Sequence, residues 1–152
     1  MADIHEVENR LQMIKIRTSS DFIGLGLYDR SRKRRNDWLI VLGNRSSKYK
    51  LMRLKAGQGI AGTAILTGRP AIGHRNAEDS AGHCPVMLAE GLASAAAFPI
   101  IRDHGVQGVL MLGNRDERSY SNEMISALEE SAQELGEVLV PYSLYAETEG
   151  SH

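Results

Sequence analysis

Residues 94–114 hold two apolar segments that are separated by the polar turn Asp103-His104-Gly105. Two runs of strand-forming residues around a short turn with glycine predict a β-hairpin. A second pair of apolar segments, FIGLGLYD and DWLIVLGN, lies on either side of the polar sequence RSRKRRN and predicts another hairpin. Since the two strands of a hairpin run antiparallel, we expect a largely antiparallel sheet.

An amphipathic helix is predicted at each end of these strands. The first covers residues 3–17, and the second begins after the capping residue Ser121 and ends near Val140, where Pro141 would bend or end it. Each helix has a single apolar stripe, so both should cover one face of the sheet and leave a ligand chamber on the other. The two stripes contain Ile4, Val7, Leu11, Ile14, Met124, Leu128, Leu135 and Leu139.

The predicted fold class is therefore α+β, with a mostly antiparallel sheet. A chain of 152 residues suits a single domain, which we place at residues 1–145, followed by a frayed tail at 146–152. Between the hairpins, glycines and prolines bound two short helices. These helices span residues 60–67 and 85–90, whereas YKLMRLK alternates weakly as a third strand and residues 71–84 are predicted to be mostly loop.

Composition narrows the class of function. The net charge is −1 and 42% of the residues are hydrophobic, which favours a globular domain and gives no support to nucleic-acid binding. The longest apolar run, at residues 92–101, is too short to span a bilayer, and the charged N-terminus lacks a signal core. Cys84 is the only cysteine, which excludes an internal disulfide. We expect a cytoplasmic protein without membrane association.

The sequence GQGIAGTAILTGRP, residues 57–70, is the strongest local indication of a binding site. A helix should begin here, yet no serine, threonine or aspartate precedes it as a cap and its first turn has no acidic side chain. The unused backbone N–H groups of such a helix start can bind an anion, with the Thr63 hydroxyl as a further donor. Alternatively, the glycines form a plain turn whose N–H groups bond to water or to nearby carbonyl groups.

Trp38, the only tryptophan, begins the second strand of the first hairpin. Its ring either packs in the core or forms the wall of a pocket, where the indole N–H can donate to an anion. An aromatic wall suits the planar nitrate ion. A dianion would lose too much hydration in exchange for so few neutral donors.

Two further groups of polar side chains have less specific patterns. The basic turn at residues 30–35 is typical of a solvated loop, and its alternatives are contact with an acidic partner or attraction of an anion. His74, His83 and Cys84 lie in or beside one long loop, but their spacing matches no common zinc site. We expect neither a metal nor a cofactor.

Two segments together resemble the GAF domain family. LKAGQGIAGTAILTGRP is similar to that family's strand, glycine turn and short helix. EGLASAAAFPIIRDHGVQGVLMLGN, followed by an amphipathic helix, is similar to its closing hairpin and last helix. The resemblance covers roughly residues 3–140. It implies the fold but not the ligand, because this fold accommodates many small molecules.

Within the GAF family, the chain is similar to the stand-alone nitrate-sensing receptors of the Nre type, which act beside an oxygen-sensing histidine kinase. This resemblance implies an anion pocket built mainly from backbone N–H groups at helix starts. It assigns the pocket tryptophan to Trp38 and the helix N-terminus to Ile60 and Ala61. The family's aromatic-Pro-Ile segment corresponds to Phe98, Pro99 and Ile100, with phenylalanine where tyrosine is expected.

We therefore expect a receptor for nitrate or a similar small monoanion that modulates a sensor histidine kinase of a two-component nitrogen-regulation system. No catalytic activity is expected, and the terminal helices are expected to pair in a homodimer. One alternative is a reductase of free methionine sulfoxide that uses Cys84, although its chemistry needs a second, resolving thiol, and Ala61 stands near the position where such enzymes carry a cysteine. The other alternative is a GAF sensor of another small organic ligand, such as a nucleotide.

Overall fold

The computed structural model describes residues 4–31, 36–75, 84–102 and 105–150, with side chains described up to Leu139. The strands are β1 (Phe22–Leu27), β2 (Trp38–Leu42), β3 (Ala71–His74), β4 (Ser94–Arg102) and β5 (Gly105–Asn114). The helices are α1 (Ile4–Thr18), α2 (Gly59–Thr67), α3 (Pro85–Glu90) and α4 (Asn122–Gly150). The strands form one sheet in the order β2-β1-β5-β4-β3, and every neighbouring pair is antiparallel. The predicted fold class and both predicted hairpins are confirmed.

Helices α1 and α4 cover the same face of the sheet, as the two apolar stripes predict. Side chains alternate along β1, so Ile23 and Leu25 pack against these helices, whereas Phe22 packs on the opposite face. That opposite face is covered by α2 and α3. The cluster beneath the terminal helices includes Val7, Leu11, Ile14, Leu128, Leu135 and Leu139, all buried, with Met124 half-buried beside them.

Two glycines in β1 make room for the tryptophan on the α2 face of the sheet. A Cβ atom added to Gly24 would lie 3.1 Å from two ring atoms of Trp38. One added to Gly26 would lie 2.5 Å from Leu54 Cδ1. A larger residue at Gly24 would therefore push the indole ring away from the sheet, and one at Gly26 would displace the Leu54 side chain beside it.

Two segments differ from the prediction. YKLMRLK does not form a third strand, because it turns through a 3₁₀ helix at Lys48–Leu51 that leaves Leu51 88% exposed. A single isolated β-bridge, between Arg53 and Asp37, pairs this segment with the residue that precedes β2. The predicted loop instead contains the edge strand β3, whose four residues pair with β4. A strand this short gives too little alternation for its sequence pattern to be detected.

Helix α4 is longer than predicted. Ser121 caps it as expected, since the Ser121 hydroxyl accepts a first-turn backbone N–H at 3.1 Å. The helix then continues past Pro141 to Gly150, so it includes residues 146–150 of the predicted tail. Pro141 cannot donate to the Glu137 carbonyl, but Glu137 is exposed and water can replace that hydrogen bond. Even at this length, neither α4 nor any other helix among the described residues is apolar enough to cross a membrane.

Candidate functional site

The N-terminus of α2 has no side-chain cap, as the sequence predicts. Gln58 occupies the cap position with an extended backbone, and its side chain makes no capping hydrogen bond. The Gly62 N–H donates to the Gln58 carbonyl at 3.0 Å and closes the first helical turn. The N–H groups of Gly59, Ile60 and Ala61 precede that bond and are not used by the helix.

Glycines allow the loop before α2 to fold tightly against the first turn of the helix. Gly57 and Gly59 have φ angles of 89° and 65°, a region that disfavours other residues. The Gly57 N–H donates to the Gly62 carbonyl at 2.7 Å. A Cβ atom on Gly62 would lie 2.2 Å from the Lys55 carbonyl oxygen. Backbone contacts therefore fix the orientation of the unused N–H groups.

Gly62→Ala is therefore expected to lower the free energy of unfolding by about 1–3 kcal/mol, as overpacking does elsewhere. Helix propensity alone would predict the opposite, a gain of about 1 kcal/mol. Urea denaturation measures the difference. Ser126→Ala, at an exposed position of α4, is the control, because it gains helix propensity without introducing a close contact. A Gly62→Ala protein as stable as the parent would show that the loop does not pack as described.

A second helix start faces the first. Helix α3 has Cys84 at its cap position and Pro85 in its first turn, and no side chain caps it. The Leu88 N–H donates to the Cys84 carbonyl at 3.1 Å. The N–H groups of Val86 and Met87 precede that bond, so the helix does not use them either.

The Cys84 thiol is buried between the two helix starts. Burial raises the pKa of this thiol above its usual value, and hydrogen bonds from backbone N–H groups oppose the rise to a smaller extent. The neutral thiol is therefore favoured near neutral pH. Gly59 permits the close approach, since a Cβ atom there would lie 2.8 Å from the Cys84 Cα. The N–H groups that point at the sulfur belong to Met87, Ile60, Val86 and Ala61.

A cavity of about 20 Å³ adjoins these donors. Trp38, which is only 5% exposed, forms part of its wall together with Ala61 and Cys84. A space of this size holds about one water molecule. An ion larger than water would need this space to expand, and a nucleotide is far too large for it. The rest of the lining is apolar at Met52, Leu54, Pro85 and Val86 and polar or charged at Arg53, Lys55 and Gln58.

Three of the six predicted site residues lie around this cavity. The Trp38 ring and Ala61 line it, and the Ile60 N–H points at the sulfur beside it. Phe98 and Ile100 do not lie here, because both side chains pack in the cluster beneath α1 and α4. Side chains alternate along β4, so this pair faces away from α2. For these two side chains the predicted placement is corrected.

Pro99 lies between that pair and pairs with Val109, a residue of the buried cluster on the α2 face. It is buried but is not among the residues that line the cavity. Its carbonyl accepts a hydrogen bond from Gln133 Nε2 at 2.9 Å, which ties β4 to α4. The Thr63 hydroxyl, expected as an anion donor, instead donates to the Gly59 carbonyl at 2.6 Å.

The sequence analysis missed part of the cavity. From the sequence, Cys84 is a candidate for a metal, for a covalent cofactor or for catalysis, and the charged residues Arg53 and Lys55 belong to a predicted strand. The pair Cys84-Pro85 does indicate a helix start. Proline is favoured in the first turn of a helix, and the cysteine before it rarely caps one, so the pair indicates a second uncapped start. No local pattern places this start opposite α2, because the two helices meet only through the tertiary fold.

The other predicted polar groups lie elsewhere. His74 Nδ1 pairs with Glu117 at 2.8 Å, and both side chains are well exposed. His83 and residues 32–35 of the basic turn lie outside the described residues. Within the described ranges, no three His, Cys, Asp or Glu side chains come close enough to hold a metal ion.

Comparison with known proteins adds independent information. A family model described as a GAF domain matches residues 11–140. No curated protein matches the chain significantly in sequence. Among solved structures, the chain is similar to a Staphylococcus aureus NreA protein that is mutated in its nitrate-binding site. The identity is 26%, the TM-score is 0.68, and the match covers 83% of this chain and 95% of NreA.

Two more distant structures share the fold alone. The GAF domain of a two-component sensor histidine kinase from Bacillus halodurans matches with a TM-score of 0.74 and 16% identity, covering 95% of this chain and 99% of that domain. A type II free methionine-R-sulfoxide reductase from Thermoplasma acidophilum matches with a TM-score of 0.69 and 12% identity, covering 89% of this chain and 90% of that enzyme. The same fold thus occurs in a domain of a sensor histidine kinase and in a methionine sulfoxide reductase.

Proposed function

Because the chain belongs to the GAF domain family, we propose that it is a receptor for nitrate or a similar small monoanion and that it modulates a sensor histidine kinase. One observation carries the proposal. Backbone N–H groups that the hydrogen-bond ladders of α2 and α3 do not use converge on the Cys84 sulfur beside a small cavity that is walled by Trp38. The similarity to an NreA protein with a nitrate-binding site supports nitrate as the anion.

The strength of such a site follows from its donors. Attraction to the α2 dipole supplies roughly 0.3–2 kcal/mol. Each hydrogen bond to a charged acceptor adds about 1.5–3 kcal/mol. Three or four such bonds, less the cost of dehydrating and immobilising the ion, leave about 4–8 kcal/mol. This range corresponds to a dissociation constant between about millimolar and micromolar.

The site favours a monoanion over a dianion. Its innermost donors are neutral backbone groups, and the thiol beside them is neutral as well, so a dianion would lose more hydration than these groups replace. The two cations that line the cavity, Arg53 and Lys55, have exposed side chains. Solvent screens their charges, so they assist the approach of an anion more than they hold it.

Binding can be transmitted through α3, whose first residues line the cavity. At the other end of this helix, Glu90 accepts a hydrogen bond from Arg115 Nη2 at 3.0 Å. The Arg115 N–H donates to Asp21 Oδ2 at 2.8 Å, next to the end of α1. We propose that occupancy shifts α3 and that this chain of contacts passes the shift to the terminal helices, where the kinase would sense it.

A catalytic function has less support. Reduction of a sulfoxide by a thiol oxidises two thiols to a disulfide, and this chain has one cysteine. That thiol is 2% exposed, and burial raises its pKa, so the reactive thiolate is disfavoured. We therefore propose that Cys84 lines a binding site and has no catalytic role.

Calorimetric titration with nitrate, nitrite, chloride and sulfate tests the proposal. We expect nitrate to bind with a micromolar to millimolar dissociation constant and sulfate to bind at least about tenfold more weakly. Trp38→Ala should remove measurable nitrate binding, because water enters the cavity. Leu51→Ala, which removes an apolar side chain that is 88% exposed, is the control and should leave binding unchanged. Absence of nitrate binding to the parent protein up to tens of millimolar would refute the proposal.

A further inference from the structure

The segment between β2 and α2 is strongly basic. Residues 38–75 contain no aspartate or glutamate, and the net charge of −1 does not reveal this because the acidic residues lie elsewhere in the chain. Five cations fall within residues 45–55, and all five side chains are exposed. None of them makes an ion pair with another described residue. These cations are Arg45, Lys48, Lys50, Arg53 and Lys55.

This basic segment runs alongside α3. At one end, the Arg45 N–H donates to Glu90 Oε1 at 2.6 Å, at the last residue of α3. At the other end, Arg53 and Lys55 line the same cavity as Pro85, the first residue of α3. The 3₁₀ turn between these ends contacts α3. The five cations therefore lie along one helix, on the face of the sheet opposite α1 and α4.

Two large apolar side chains are exposed among these charges. Leu51 in the 3₁₀ turn is 88% exposed, and Leu88 on α3 is 66% exposed. Tyr49 and Met52, on either side of Leu51, pack against the cluster on the α2 face, so the turn is held to the core while Leu51 projects into solvent. Residues three apart in a 3₁₀ turn share a side, which places Lys48 beside Leu51. Exposed leucines on a basic surface indicate a site of interaction.

We propose that this surface binds anionic phospholipids at the face of a membrane, with the cations on the lipid phosphates and Leu51 inserted among the headgroups. A bilayer attracts lysines and accepts apolar side chains, so it uses both features. A protein partner is less favoured, because lysine is depleted in protein–protein interfaces. Nucleic acid would engage the cations but leave the leucines without a contact.

Such binding needs no spanning segment, so it differs from the kind of membrane association that the sequence argues against. It leaves α1 and α4 on the side of the protein that faces away from the bilayer. The inference goes beyond the proposed receptor function and does not depend on it, since Lys48, Lys50, Leu51 and Leu88 do not line the cavity.

Flotation of the full chain with lipid vesicles tests the proposal. We expect binding to vesicles of equal parts phosphatidylglycerol and phosphatidylcholine to be at least about tenfold stronger than to phosphatidylcholine alone. About 1 M salt should release the protein, because it shortens the screening length to roughly 3 Å. Lys48→Glu/Lys50→Glu and Leu51→Ala should each weaken binding at least about tenfold, since they remove the attraction and the inserted group. Lys48→Arg/Lys50→Arg keeps the charge and should bind as the parent does.

Matched controls lie on α1, across the sheet. Arg10→Glu/Arg17→Glu changes the net charge by the same amount, and Ile16→Ala truncates a side chain that is 65% exposed. Both should bind vesicles like the parent. A parent protein that does not bind the anionic vesicles at low salt would overturn the proposal. Equal losses in the α1 controls would do so too, as would a Leu51→Ala protein that binds vesicles and duplex DNA as well as the parent does.

Discussion

Glu90→Ala is expected to lower the free energy of unfolding by about 3–5 kcal/mol, the cost of breaking a buried ion pair from one side. Glu90 is 2% exposed and joins three parts of the fold. Its Oε1 accepts the Arg45 N–H at 2.6 Å and Arg115 Nη2 at 3.0 Å. Its Oε2 accepts the Ser46 N–H at 3.3 Å. Alanine would remove the acceptor of the Arg45 and Ser46 N–H groups and leave the partly buried Arg115 charge without its ion-pair partner.

Chemical denaturation of parent and variant measures this difference. Asp116→Ala is the matched control, because the Asp116–Arg118 pair has a similar distance of 3.1 Å but an acidic side chain that is 64% exposed. An exposed pair of this kind contributes at most about 1 kcal/mol. If the two variants lose equal stability, Glu90 does not hold the end of α3 to the sheet, and the proposed route from the cavity to α1 fails with it.

Ala61→Pro is expected to weaken nitrate binding at least about tenfold, to below detection where the parent binds near millimolar, while leaving the protein folded. Proline removes one of the unused N–H groups at the start of α2, and a first-turn position tolerates proline because no helical hydrogen bond is lost. Losing one bond to the ion costs about 1.5–3 kcal/mol, which raises the dissociation constant by roughly 10- to 150-fold. From a starting value near millimolar, binding would then fall below detection in calorimetry.

Ala61→Val is the control for size, since Ala61 lines the cavity and proline is larger than alanine. Valine has a volume similar to that of proline but keeps the N–H group. We expect Ala61→Val to bind nitrate more weakly than the parent and more tightly than Ala61→Pro. Circular dichroism and thermal unfolding of both variants confirm that they are folded. Equal loss of affinity in the two variants would assign the effect to volume instead of to the donor.

Periodicity predicted the elements that carry many regularly spaced side chains. The stripe on α1, with Val7, Leu11 and Ile14 all buried, is a repeated signal, and β1 is a continuous run of six buried apolar residues. The four residues of β3 give no such repeat, and they form a strand only because β4 offers hydrogen-bonding partners. Long-range pairing of this kind is not encoded in local spacing.

The same distinction between local patterns and long-range contacts applies to the candidate site. The uncapped start of α2 could be predicted, because the absence of a capping residue and the glycines are local features. The meeting of α2 with Cys84 and Pro85 could not, since it depends on how two separate helices pack on the sheet. Phe98 and Ile100 were assigned by resemblance, which gives the position in the chain but not the face of the strand. Their burial beneath α1 and α4 decides that face.

The most direct test of the central claim is a nitrate titration followed by the backbone amide resonances of the protein in ¹H–¹⁵N NMR spectra. We expect the amides of Ile60, Ala61, Val86 and Met87 to shift most and to saturate together. The amide resonances of the 3₁₀ turn at Lys48–Leu51 should not shift with the same nitrate concentration at half-saturation. Shifts confined to residues outside the starts of α2 and α3, or no saturable shifts at tens of millimolar nitrate, would contradict a nitrate site formed by these two helix starts.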